Sequence, residues 1–187
     1  VLGLMILSIS VWRIFYGYNL VGAEILRFAV VSALLANVYM VLSTIAQSLN
    51  KYKLVYAISI VGFLLNALLD IPIMLLFNNL NIPAHLGSIV ASMIGYTASI
   101  LIGLISLHVK DKINYKELFI NMGKMIIPAV SMVVILLVLN HFITLDPRSA
   151  MNSIIIIVVN AIIGGIIYIG VSYKTNLLSN IFGDELV

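Results

Sequence analysis

The chain has 187 residues, of which 63% are hydrophobic and only 9% charged, and its mean hydropathy is +1.19. Soluble domains carry about 25% charged residues, so this composition excludes a water-soluble globule and indicates an integral membrane protein. The absence of cysteine excludes a disulfide framework and thiolate metal sites, and the formal charge of +3, ten Lys and Arg against seven Asp and Glu, informs by its placement rather than its total.

A helix needs roughly 20 apolar residues to cross about 30 Å of hydrocarbon. The first candidate span, Val1 to Tyr16, starts without Met and already inside an apolar run. It lacks the basic start and small-residue cleavage site of a signal peptide. It is expected to be a truncated helix, and the chain a fragment ending shortly after "IFGDELV". The second span runs from about Phe28 to Ala46, the third from Leu54 to Phe77 and the fourth from Leu86 to Leu107. Next comes "INYKELFINMGK" (Ile113 to Lys124), which mixes apolar residues with lysines. It is expected to lie along the membrane interface before turning into the fifth span, Met125 to Ile143. Pro128 would then fall in the first turns of that span, where proline costs little. The sixth span is Ala150 to Tyr173. These long, continuous runs do not fit the short alternating strands of an outer-membrane barrel, so the expected fold is all-α, a polytopic transmembrane helix bundle.

The connectors predict orientation. Lys51 and Lys53 follow the second span, Lys110, Lys112, Lys116 and Lys124 follow the fourth, and Lys174 follows the sixth. The alternate connectors are poorer, with no Lys or Arg in "NNLNIPAHLG" and only Arg148 beside Asp146 in "TLDPRS", although Arg13 and Arg27 run against the pattern. Positive residues favour the cytoplasmic side, which puts the lysine-bearing ends and the C-terminus there. Trp12, Tyr16 and Tyr18 cluster at the opposite boundary, and Tyr52, Tyr56, Tyr115 and Tyr173 sit near the lysine-bearing one, as interfacial anchors do.

Polar residues inside spans carry the functional signal. Asp70 is the only acidic residue well inside a span, about 10 Å from the outer end of its helix. Asn66, four residues earlier, shares its face, and Pro72 is expected to kink the helix and free a backbone carbonyl. A carboxylate, an amide oxygen and a loosened carbonyl suit a hard cation such as Na⁺, or Asp70 could carry H⁺. The structural alternative is an acid paired with Arg27 or another arginine, or turned to the outer interface. In the fourth span Ser88, Ser92, Gly95, Ser99 and Gly103 form one small face, suited to close helix packing. Ser88 and Ser92 lie at a depth similar to Asp70 and could complete an oxygen cage. Asn37 and Asn160 read as interhelical amides, and Ala161, Gly164 and Gly165 as helix packing. His85, His108 and His141 are scattered at span ends without zinc spacing. No catalytic triad, paired carboxylates or phosphate loop is legible, so no enzyme, cofactor or nucleic-acid partner is expected.

The order of features resembles a known family. "YGYNLVGAEILRFAVVSALLANVYMVLSTIAQSLNKYK", with Gln47, Lys51 and Lys53 ending a helix, resembles a stretch of the polysaccharide and lipid-linked oligosaccharide exporters. The Leu65–Asn66 pair follows, then "GSIVASMIGY" (Gly87 to Tyr96), where the family pattern has Gly-Ala instead of Gly87-Ser88, and the tail "FGDEL" resembles the MurJ/SpoVB/YtgP-type branch. The resemblance covers about residues 10 to 185. It implies the C-terminal part of a fourteen-helix flippase of the MATE-like MOP superfamily. Residues 1–109 would be helices nine to twelve of the C-terminal lobe, 110–124 a cytoplasmic interfacial connector, and 125–187 helices thirteen and fourteen with a short cytoplasmic tail. Such proteins carry polyprenyl-linked sugars across the bacterial cytoplasmic membrane by alternating access, with lipid II as the substrate of the MurJ-type branch. The last two helices would hold the polyprenyl tail, among membrane lipids and beside an N-terminal lobe. Head-group arginines and a further carboxylate would belong to other parts of the protein. Some family members have a sodium site with an Asn-x-x-x-Asp pair and a threonine on the next helix, which Asn66, Asp70 and Ser92 match. A backbone carbonyl near Ser88 would be a further ligand. Other readings are an O-antigen, teichoic or capsular polysaccharide lipid flippase, a multidrug/cation antiporter of the same superfamily, and a non-transporting membrane scaffold.

Overall fold

The computed structural model describes residues 1–143 and 145–175; the "FGDEL" tail lies outside the described residues. Every regular element among them is an α-helix: α1 (Leu2–Ile6), α2 (Ser8–Tyr16), α3 (Leu20–Ser48), α4 (Tyr52–Asn79), α5 (His85–Asp111), α6 (Lys116–Phe142) and α7 (Ala150–Lys174). The chain is a polytopic helical membrane protein, in which α3 to α7 are long and apolar enough to cross a bilayer. The first expected span is instead two short helices that meet at Leu7.

Local chemistry fixes the helix ends. The Asn19 carboxamide accepts hydrogen bonds from the Val21 and Gly22 amides at 2.9 and 3.2 Å, an N-cap that starts α3 eight residues before the apolar run at Phe28. Helices α3 and α4 end alike. Asn50 and Asn81 take left-handed conformations (φ 57° and 58°), and the following amides of Lys51 and Ile82 bond back to Ala46 and Phe77 at 2.8 and 2.9 Å. This Schellman pattern satisfies the last carbonyls, and Asn tolerates the required φ better than other non-glycine residues.

The chain divides into two compact units, residues 1–24 with 115–187 and residues 25–114, so α3 passes from one to the other. In the first unit, Ser153, Ile156, Asn160 and Gly164 form the buried face of α7 at helical spacing. Leu136 of α6 lies against Gly164. The Asn160 amide donates to Asn140 Oδ1 at 3.2 Å and to the Ile156 carbonyl at 2.7 Å, the interhelical role expected of it. The end of α2 is tied to the α6–α7 connector: Arg13 Nε donates to the Arg148 carbonyl at 2.7 Å, and the Arg148 guanidinium sits 5.6 Å from the Tyr18 ring centroid.

Two expectations about α6 are corrected. "KELFINMGK" does not precede a turn; from Lys116 it runs as one helix to Phe142. Pro128 is therefore in the helix interior and fully buried, where it deprives the Lys124 carbonyl of its amide partner. Hydropathy marks where hydrocarbon begins, and a helix continues through polar turns beyond that boundary.

In the second unit α4 and α5 pack along their lengths. The buried row on α5 is Gly87, Ala91, Gly95, Ser99, Gly103 and Leu107, one residue every four. A side-chain carbon on Gly95 would lie 2.6 Å from the Gly62 carbonyl, and one on Gly87 would lie 2.8 Å from the Met74 backbone. Only glycine lets the two backbones come this close. Helix α3 adds Tyr39, whose hydroxyl meets Ser59 Oγ at 2.6 Å, and Leu42, which packs over Gly103. Lys51 and Asp111 form an ion pair joining the α3–α4 connector to the end of α5.

Candidate cation site between α4 and α5

Ser88 and Ser92 were expected on the small packing face of α5. They lie one position round from the buried row, half-buried, with Gly87 and Ala91 taking the packing positions. This places Ser92 beside α4, where the Asn66 amide donates to Ser92 Oγ at 2.7 Å, and Ser92 Oγ donates to the Ser88 carbonyl at 3.2 Å. Depth along two antiparallel helices matched Ser88 and Ser92 to Asp70; the residue of α4 that Ser92 meets is Asn66, one turn earlier. Ser88 brings its main-chain carbonyl to this chain of bonds, while its hydroxyl makes no hydrogen bond among the described residues.

Asp70 is one helical turn beyond Asn66 on α4. Its Oδ1 is buried and has no hydrogen-bond partner, and Asp70 forms no ion pair among the described residues. The pairing with Arg27 weighed from the sequence is not present. Helix α4 is continuous through Pro72, which has no amide to give the Leu68 carbonyl. The polar groups on this stretch are therefore the Asp70 carboxylate and, one turn away, the Asn66 amide, whose nitrogen faces Ser92, with the Ser92 hydroxyl and the Ser88 carbonyl. No group of three or more His, Cys, Asp or Glu converges anywhere among the described residues. Oxygen ligands of this kind suit hard cations rather than zinc or copper.

Asn66 and Ser92 also line a cavity of about 370 Å³ that extends past Gly62, Gly95 and Tyr96 to Tyr39, Ser59 and Ser99. Sequence reading missed Tyr39 and Ser59. Ser59 could have been found, since Ser59, Phe63, Asn66 and Asp70 fall at helical spacing on one face of α4. Tyr39 had no such signal, because its place depends on how α3 approaches the pair.

The chain is similar to the lipid II flippase MurJ of Bacillus subtilis (strain 168), 28% identical over 194 aligned positions that take in all of this chain and 34% of that protein. The chain thus spans about a third of the length of the curated relative it matches. No protein-family model and no solved structure matches it.

Proposed function

We propose that the chain is part of a cation-coupled membrane flippase for lipid-linked oligosaccharide, with lipid II as the substrate and Na⁺ held by Asn66, Asp70, the Ser88 carbonyl and Ser92. The observation that carries this reading is the Asp70 carboxylate, buried on Oδ1 and without a partner, one turn from the Asn66–Ser92 pair. An ionisable group inside a membrane span is costly to keep, so one left unpaired points to a bound ion or proton. The neighbouring neutral oxygens favour Na⁺, which needs several ligands, over a proton, which needs only one. The transported substrate is inferred from the relative over which the whole chain aligns.

On this reading α3 to α5 belong to a lobe that rocks against a second lobe, and Asp70 couples cation binding to that motion. Helices α6 and α7, apolar and exposed on their outer faces, flank the polyprenyl tail. The protein sits in the bacterial cytoplasmic membrane with the lysine-bearing helix ends inside.

The test is translocation in proteoliposomes. The protein as its host makes it is reconstituted with fluorescent lipid II, and head groups appearing on the opposite leaflet are read with an impermeant quencher. Lipid II should cross well above the rate in protein-free vesicles, and faster than a dye-labelled phospholipid. Movement of both at the protein-free rate would remove the flippase reading.

A further inference from the structure

The cavity beyond Asn66 is larger than one cation needs. Its lining carries the hydroxyls of Tyr39, Ser59, Ser92, Tyr96 and Ser99, and Asn66. Ser99 Oγ is satisfied by the Ile58 carbonyl at 2.7 Å, and Ser59 Oγ by the Val55 carbonyl at 2.8 Å and by Tyr39. Its 370 Å³ would hold roughly a dozen waters at liquid density; Phe63 and two glycines also line it, and its hydroxyls and the Asn66 amide give such waters hydrogen-bond partners. Ser59 lies about 10 Å along α4 from Asn66 and about 16 Å from Asp70, towards the lysine-bearing end.

One layer further in that direction the character changes. Ile58 and Leu107 are fully buried, as is Ala46, and Leu42 is nearly so. Leu42 and Ile58 both reach the space over Gly103, where an added side-chain carbon would meet Leu42 Cδ2 at 2.5 Å and Ile58 Cδ1 at 3.8 Å. Beyond this layer comes the Lys51–Asp111 ion pair. A short apolar constriction excludes water and ions by dewetting even where polar cavities adjoin it.

We propose that the cavity is a water-filled vestibule of the cation site, closed at its lysine-bearing end by an apolar seal in which Leu42 and Ile58 pack over Gly103. The purpose assigned to the vestibule rests on the cation-coupled reading above. Na⁺ that reaches Asn66 and Ser92 from the Asp70 side has this water beyond it and is stopped at the seal, so the site cannot leak ions through the helix bundle. The vestibule hydroxyls replace part of the hydration shell, and the seal keeps binding coupled to movement of the lobe.

The test uses thiol accessibility, for which the cysteine-free sequence supplies a clean background in this part of the protein. Ser59→Cys is introduced into the whole protein and exposed to an impermeant cationic methanethiosulfonate, which reacts with thiolate and therefore needs water. The reagent is applied from each side of membrane vesicles, with Lys53→Cys marking the lysine-bearing face. Ile60→Cys and Leu101→Cys, on exposed apolar positions of α4 and α5, serve as lipid-facing references. Ser59→Cys should react at least about tenfold faster than either reference from the face opposite the lysines, and no faster than they do from the lysine face. Adding Leu42→Ala, or Ile58→Val if the first variant does not yield monodisperse protein, should raise its rate from the lysine face about tenfold. A Ser59→Cys rate equal to the references from both faces would show a dry cavity and overturn the vestibule. A fast rate from the lysine face with Leu42 and Ile58 intact would overturn the seal. Repeating the labelling with Asp70→Asn separates the two proposals: retained labelling together with Na⁺-stimulated transport unchanged from the wild type leaves the vestibule standing and removes the coupling through Asp70.

Discussion

Replacing Asp70 by Asn should abolish the Na⁺ stimulation of lipid II translocation while leaving the protein folded. Asparagine keeps the shape and one oxygen but loses the charge. Removing one partner from a buried, paired charge costs about 3–5 kcal/mol, which corresponds to a Na⁺ affinity weaker by roughly a hundredfold or more. A second readout distinguishes this from a structural role. On the cation reading, protein without Na⁺ keeps an unpaired Asp70 carboxylate inside a span. The cost is below the roughly 2.5–3.5 kcal/mol of the span centre, because Asp70 lies nearer the outer end. Asp70→Asn should therefore melt at a higher temperature than the wild type in Na⁺-free detergent, and its melting should not respond to added Na⁺. A variant that melts lower and still shows Na⁺-stimulated transport would mean that Asp70 stabilises the bundle and binds nothing.

Gly95→Val should be the most damaging single change in the α4–α5 pair. The new side chain begins 2.6 Å from the Gly62 carbonyl and 3.5 Å from Asn66 Cβ. The nearest atom is backbone and cannot turn aside, so the helices must separate. Overpacking of this kind costs about 1–3 kcal/mol or more, and the separation also pulls Ser92 from Asn66. The expected result is loss of the monodisperse peak in size-exclusion chromatography, with Gly95→Ala intermediate in melting temperature. Gly165→Ala provides the contrast, since nothing lies within 4 Å of its added carbon; it should melt like the wild type. Equal behaviour of Gly95→Val and Gly165→Ala would show that α4 and α5 do not pack at Gly95.

Much of this was legible in the sequence because hydrocarbon imposes a simple rule, and α3 to α7 each contain one of the long apolar runs. The ends of the helices were less legible. Helix α3 starts at Leu20 because Asn19 caps it, and α6 starts at Lys116 because nothing stops a helix between there and Met125. Hydropathy is blind to both facts, and the misplaced start of α6 is why Pro128 was put in the wrong turn. At the site, the one-turn relation of Asn66 and Asp70 follows from spacing alone. Matched depth brought Ser92 to this level of α4 opposite Asp70, but its contact is with Asn66, one turn away. On α5 the packing of Gly95, Ser99 and Gly103 followed from the small-residue spacing, but the row at the start of the helix did not, because Ser88-Ser92 and Gly87-Ala91 are both small and one position apart. The backbone contact at Gly87 decides between them, since only a glycine fits against Met74. Tyr39 and the Leu42 layer belong to α3, whose approach to the pair no local pattern encodes.

Radioactive Na⁺ binding to the purified protein tests most directly whether Asn66, Asp70 and Ser92 hold a monovalent cation. The wild type should bind Na⁺ saturably, Asp70→Asn should bind none at the same concentrations, and Ser92→Ala should bind more weakly. Saturable binding that survives unchanged in Asp70→Asn, or a wild type that binds no Na⁺ at all, would contradict the assignment of this cluster as the sodium site.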